Sequence, residues 1–160
     1  MCIRDSNVIA SVKDVLEKTG ISPTQVSAAG ISNQRETGIL WKRGGTPLYN
    51  AVVWQCARGA ALCDTLEQQG LASAVQQKTG LRLSPYFTAA KFGWLMQNVP
   101  QVQQAAQQHS LMAGTIDAWL VYRLTGNHCT DYSNASRTQL FNIHTLTWDE
   151  ELCLSLIHIS

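Results

Sequence analysis

The apolar residues of this chain change period along its length, and that change restricts the fold more than any single motif does. In "NVIASVKDVLEKT", residues 7–19, Val8, Ile9, Val12, Val15 and Leu16 recur at helical spacing until Gly20 stops the run. "SAAGIS" and "TGILWK" then read as strands, a Gly-Gly-Thr-Pro turn follows, and "NAVVWQ" reads as a third short strand. Residues 57–69 and "LASAVQQKT" return to a helical pattern, the second run ending at Gly80. "SPYFTAAKFGWLMQNVP" predicts a helix that starts at Ser84-Pro85 and leaves at Val99-Pro100. "QVQQAAQQH" predicts a polar helix, and "LMAGTIDAWLVYRLTG" a short strand running into an amphipathic helix ended by Gly126. "TDYSNASRTQLFNIHTLTW" combines a capped turn with a strand, and "DEEL" opens one more helix. Such alternation specifies an α/β domain.

Composition narrows the function classes. With 160 residues, 45% hydrophobic and 14% charged, the chain can build one domain, or a large piece of one, around a real core. The formal net charge is +1 and the charges are scattered, which argues against a general nucleic-acid binder or a protein of acidic membrane surfaces. No apolar run reaches bilayer length and the N-terminus lacks a signal peptide's apolar stretch, so a cytoplasmic location is expected. Cys2, Cys56, Cys63, Cys129 and Cys153 give an odd count with no C-x-x-C pair, and no histidine stands near them at metal-ligand spacing. They read as ordinary thiols.

The two ends stand apart. A DNA string encoding "MCIRDS", ATG TGT ATA AGA GAC AG, has the reverse complement CTG TCT CTT ATA CAC AT, which begins a string encoding "LSLIHIS". One inverted repeat thus explains both termini, and it resembles the transposon end used to fragment DNA for sequencing libraries. Met1–Ser6 and Leu154–Ser160 are therefore expected to be adaptor-derived, leaving residues 7–153 as an internal piece of a longer protein.

The chemistry concentrates in "ISNQRETGILW", where a Gln, an Arg and a Glu lie between two apolar, strand-like runs. Successive strand side chains point to opposite faces, so Arg35 and Glu36 can serve one ligand only where the chain bends. Asn33 and Gln34, poor strand formers, favour such a bend. Arg beside Glu offers five N–H donors and up to four acceptor lone pairs in a small volume. A vicinal polyol wants that mixture, because each hydroxyl both donates and accepts. The competing reading is a surface ion pair of small energetic value. Trp54, at the end of a predicted strand, and Tyr86, at the opening of a predicted helix, could supply rings for a polyol's C–H faces, or could simply be core residues.

Four stretches carry a family resemblance: "GISNQRETGILWKRGGTPLYNAVVWQ", "TGLRLSPYFTAAKFGWLMQNVP", "GTIDAWLVYRLTG" and "TDYSNASRTQLFNIHTLTWDEEL". In succession they resemble the N-terminal domain of the FGGY carbohydrate kinase family, in its glycerol-phosphorylating branch. "YFTAAKFGWLMQN" matches the family signature, with Lys91 and Trp94 in place, and "NQRET" is the more discriminating segment. The resemblance implies a partial ribonuclease H-like domain of the actin-like ATPase superfamily, transfer of the ATP γ-phosphate to glycerol with Mg2+, and a homo-oligomeric parent enzyme. It also implies that Arg35, Glu36 and Tyr86 bond the glycerol hydroxyls and that Trp54 lies against its carbons. Gly38, Gly59 and Ala118 depart from residues that are often larger or more polar. Another sugar or polyol kinase of the family, or a polyol-binding module without catalysis, are the alternatives.

Other polar residues read as structural. Asp117 stands in a helix's first turn and suits capping, while Asp131, Ser133, Asn134 and Ser136 form a cluster rich in turn chemistry. Lys91 reads as an ion-pair partner, and His144 as a lone histidine in a strand-like run. The family's Gly-Thr-Thr phosphate turn and its Gly-Asp-Gln, whose Asp is the base, do not occur here, so no catalytic residue is assigned and residues 1–160 alone are expected to be inactive.

Overall fold

The computed structural model describes residues 5–157, so Met1–Arg4 and His158–Ser160 of the two suspect ends lie outside the described residues. In chain order the elements are α1 (Asp5–Thr19), β1 (Gly38–Lys42), β2 (Thr46–Pro47), α2 (Ala60–Gln68) and α3 (Ala72–Thr79). Then come α4 (Thr88–Asn98), α5 (Pro100–Gln107), β3 (Leu111–Thr115), α6 (Ile116–Thr125) and α7 (Tyr132–Ala135). A hairpin, β4 (Phe141–Asn142) and β5 (Thr147–Trp148), leads into α8 (Glu150–Ile157).

β1 organises the molecule. It runs antiparallel between β2 and β3, with Trp41 opposite Pro47 and Gly38 opposite Thr115. Its side chains alternate between two cores, as the period of a strand requires. Ile39 and Trp41 join Ile116, Trp119 and Leu120 of α6, whereas Leu40 joins Phe92 and Leu95 of α4, Val102 of α5 and Leu152 of α8. Burial on both faces explains why "GILW" is an unbroken apolar run rather than an alternating one. α3 and α6 stop where the sequence predicts, at Gly80 and Gly126, whose φ values of 72° and 77° lie in the left-handed region. Pro100 opens α5 at a position where its missing N–H costs nothing.

Two predicted strands do not form. Residues 27–32, "SAAGIS", are exposed and carry no ladder partner among the described residues. A strand is held by its neighbours, and no described segment lies against residues 27–32 to exchange ladder bonds with them. "NAVVWQ" contributes one bridge, Gly38 with Val52, before turning at Val53–Cys56. The predicted helix start at Ser84-Pro85 is instead a turn, and α4 begins at Thr88. α1 forms as expected, but Ile9, Val12 and Val15 of its apolar stripe remain exposed, and only Val8 packs on the Trp41 cluster.

Gly38 sits where the packing leaves no room for a side chain. A Cβ there would meet the Phe92 ring at 2.8 Å and the Thr88 methyl at 3.0 Å. The ring occupies the space a larger residue would need. Gly38→Thr should therefore destabilise the chain by about 1–3 kcal/mol, the usual cost of overpacking. Combined with Phe92→Val it should cost less than the two single changes summed, because each relieves the other. Urea denaturation of the four-member cycle measures the coupling, and strict additivity would refute it.

Candidate substrate site

The bend that Asn33 and Gln34 favour at Arg35-Glu36 is present. Gln34 to Thr37 forms a turn, closed by a 3.4 Å bond from the Thr37 N–H to the Gln34 carbonyl, with Arg35 and Glu36 at its centre. The two side chains part company there. Arg35 is exposed, and its Nη1 makes a long 3.5 Å contact with the Ser133 hydroxyl. Glu36 is 6% exposed and pairs not with Arg35 but with Arg137, whose Nε donates to Oε1 at 2.8 Å. The simple Arg35–Glu36 surface pair is thereby ruled out. Oε2 of Glu36 has no protein donor among the described residues.

The turn is fastened to the start of α4, since the Thr88 hydroxyl donates to the Glu36 carbonyl at 3.4 Å. Immediately before Thr88 lies the second predicted segment. Tyr86 and Trp54, each a little over one-third exposed, meet edge to face with ring centroids 5.8 Å apart. They are thus neither core residues nor isolated surface rings. Tyr86 also contacts Phe87 at 5.1 Å, and the Arg137 guanidinium sits 4.9 Å over the Phe87 ring. Arg137 therefore bridges the Glu36 carboxylate to the aromatic wall, through a charge-assisted bond on one side and a cation–π contact on the other. The structure brings Glu36, Tyr86 and Trp54 into one connected cluster, with Arg35 in the same turn as Glu36.

Sequence reasoning missed Arg137. It lies 101 residues from Glu36, and nothing local in "SRTQLFN" distinguishes it from a surface arginine. Lys91 was misread as an ion-pair partner. Its ammonium donates to the carbonyls of Pro85, Tyr86 and Phe87, and no carboxylate bonds to it among the described residues. Asp117 is more than a helix cap: it accepts from Asn33 at 3.1 Å, from Thr115 at 2.5 Å and from Thr130, tying the approach to the turn onto α6. Asp131 caps α7 as expected. The backbone N–H and side-chain amide of Asn134 hold its carboxyl below the usual range, with Arg35 adding a smaller pull. His144 lies in the turn between β4 and β5, its Nε2 2.9 Å from the Gln77 carbonyl.

Two clefts flank these residues. One of about 430 Å³ is lined by Asn33, Gln34 and Thr37 on one side of the turn, with Ala51, Val53, Ile116 and Leu120 completing it. A cavity of about 610 Å³ between Phe92, Asp131, Phe141 and Trp148 is mostly apolar, and neither cleft is lined by Arg35, Glu36, Trp54 or Tyr86. Size alone does not mark the chemistry here, because a polyol site needs converging donors and acceptors.

Comparison with known proteins fits this arrangement. The family model described as "FGGY family of carbohydrate kinases, N-terminal domain" matches residues 6–159. The chain belongs to the FGGY family of carbohydrate kinases. Glycerol kinase 1 of Thermotoga maritima is 50% identical over 149 residues, covering 91% of this chain and 30% of that protein. The glycerol kinase of Symbiobacterium thermophilum is 51% identical over 150 residues, again 30% of its length. Among solved structures, Plasmodium falciparum glycerol kinase with ADP superposes with a TM-score of 0.82 at 34% identity, covering 98% of this chain and 34% of that one. The gluconate kinase of Lactobacillus acidophilus gives 0.80 at 25% identity, covering 98% of this chain and 31% of that one. The fold is thus the mixed α/β, actin-like ATPase arrangement of FGGY N-terminal domains, and the chain spans about 30% of the length of the curated relatives it matches. The segment "YFTAAKFGWLMQN" is the end of the Tyr86 turn plus the whole of α4.

Proposed function

We propose that residues 7–153 form the glycerol-binding wall of an ATP-dependent glycerol kinase. The observation that carries the reading is the Glu36 carboxylate, one oxygen fixed by Arg137 and the other without a protein donor, beside Arg35 and the Trp54–Tyr86 pair. In this reading Oε2 of Glu36 accepts from one glycerol hydroxyl, Arg35 donates to a neighbouring one, and Tyr86 adds a third polar contact. Trp54 covers the carbon backbone. Such a constellation binds and orients a polyol, and orientation is most of what a phosphoryl-transfer enzyme must supply on the acceptor side.

ATP and Mg2+ belong to the reaction in this reading. Among the described residues no three His, Cys, Asp or Glu side chains come together as a protein-built metal cage. No step is assigned through either group, and in this reading their ligands come from other parts of the parent enzyme. That parent is read as a cytoplasmic homo-oligomer. The free thiols Cys56, Cys63, Cys129 and Cys153 support a reducing compartment, and no described helix is long and apolar enough to cross a membrane.

The test is a chimera in which residues 7–153 replace the matching segment of Thermotoga maritima glycerol kinase 1. ATP-dependent glycerol 3-phosphate formation, with glycerol preferred over gluconate and xylulose, is the expected result. Preference for a sugar would move the reading to another FGGY kinase, and binding without turnover to a polyol-binding module. The polypeptide 1–160 alone should show no turnover, and activity there would bring Asp117 or Asp131 forward as a base. The inverted repeat behind residues 1–6 and 154–160 supports their adaptor origin. A transposon-free read of the flanking DNA that encoded the same ends would overturn it.

A further inference from the structure

Lys91 is 1% exposed, yet no carboxylate bonds to its ammonium among the described residues. It also stands in the first full turn of α4, where a positive charge opposes the helix dipole. A buried cation in an unfavourable field persists only where its hydrogen bonds are complete. Here they are complete, because the three N–H groups match three consecutive carbonyls: Pro85 at 3.1 Å, Tyr86, and Phe87 at 3.0 Å. These carbonyls belong to the turn that carries the Tyr86 ring toward Trp54 and the Phe87 ring under Arg137.

We propose that Lys91 is the positioning residue of the substrate site, clamping the 84–87 turn so that the aromatic wall stands in register with the Glu36 carboxylate. The proposal rests on the glycerol reading above. Its logic is geometric. An apolar side chain at 91 would take the ammonium from all three carbonyls, leaving Phe87 with only its helix bond as the N-cap of α4 and Pro85 and Tyr86 without that donor, and the turn would relax to find others. Tyr86 and Trp54 would then lose their mutual placement, while Glu36 and Arg137, held by their own bond, would stay.

The groups that face the ammonium are Glu36 from the neighbouring turn, Cys56 from the loop before α2, and Cys63 on α2. Burial pushes the Lys91 ammonium down from 10.5 to about 8, with Cys56, Glu36 and Cys63 pulling the other way. Burial, then Asp64, pushes the Cys63 thiol up to about 11, so it keeps its proton while Lys91 titrates. Deprotonation removes one of the three donors, and the clamp should weaken as the pH rises through about 8.

The experiment uses the chimera described above, with Lys91→Met and steady-state kinetics. The expected result is a rise in the KM for glycerol of about tenfold or more, from the loss of hydrogen bonds to three carbonyls. The kcat and the KM for ATP should stay within about threefold, inside the worth of one ordinary hydrogen bond. Between pH 7 and 9.5 the parent's glycerol KM should climb about two- to tenfold as one donor is lost, and the variant's should stay flat. A purely structural lysine would instead move kcat, both KM values and the melting temperature together, without the pH signature, and that pattern overturns the proposal. Should Lys91→Met fail to fold, the parent's profile decides, and a glycerol KM flat to pH 9.5 refutes the clamp. Absence of any glycerol turnover in the parent chimera refutes the glycerol reading instead. Hydrogen exchange at the Phe87–Ala89 amides, faster in Lys91→Met of the chimera than in its parent, then judges the clamp by itself, and equal protection there refutes it.

Discussion

Glu36→Gln in the chimeric kinase should lower kcat/KM for glycerol by about ten- to a hundredfold, the worth of one charge-assisted bond to a hydroxyl. The KM for ATP should not move. The amide oxygen can still accept from Arg137, so the 2.8 Å bond that holds the side chain survives. What changes is Oε2, replaced by an NH₂ that donates where a polyol hydroxyl needs an acceptor. Glu36→Ala should be worse for a second reason. It also strands the Arg137 guanidinium, whose side chain is 29% exposed, and leaves it only the Phe87 ring. Arg35→Ala supplies the contrast. Arg35 is exposed and, among the described residues, held by the long Ser133 contact and a weak pull from Asp131, so stability should stay within about 0.5 kcal/mol while glycerol use falls about ten- to a hundredfold. Glycerol kinetics near parental values for both Glu36→Gln and Arg35→Ala would return these residues to a structural role.

Trp41→Ala should unfold the chain outright or nearly so. Trp41 is fully buried on the central strand and meets Trp119, Tyr122 and His128 at ring distances of 5.2, 5.7 and 5.1 Å. Truncating a residue so placed costs about 3–5 kcal/mol, most of which the surrounding rings cannot recover by collapsing. A domain of ordinary stability has only about 5–15 kcal/mol in total. Trp41→Phe should be far milder, because the indole N–H is buried without an acceptor and its removal relieves a cost of about 1–3 kcal/mol. Urea denaturation followed by circular dichroism separates the two. A Trp41→Ala chain as stable as Trp41→Phe would mean that the second core contributes little.

Much of this protein was determined locally and could therefore be read along the chain. Gly80 and Gly126 end helices wherever the rest of the molecule lies, because only a residue without Cβ adopts their left-handed φ cheaply. Asp131 caps α7 through bonds to a residue three positions away. The bend at Arg35-Glu36 was favoured locally by Asn33 and Gln34, poor strand formers just ahead of it.

Tertiary structure decided what depended on partners. "SAAGIS" has strand composition, but a strand needs a partner to exchange ladder bonds with, and none lies against residues 27–32 among the described residues. The sequence offered Arg35 as the partner of Glu36 because it is adjacent, yet adjacent residues at a bend diverge. The carboxylate instead took Arg137, brought across 101 residues where the Ala89 N–H of α4 bonds the Thr138 carbonyl. Lys91 looked like half of an ion pair because lysines usually are. Its true partners are backbone carbonyls, which every residue possesses and no sequence pattern can single out.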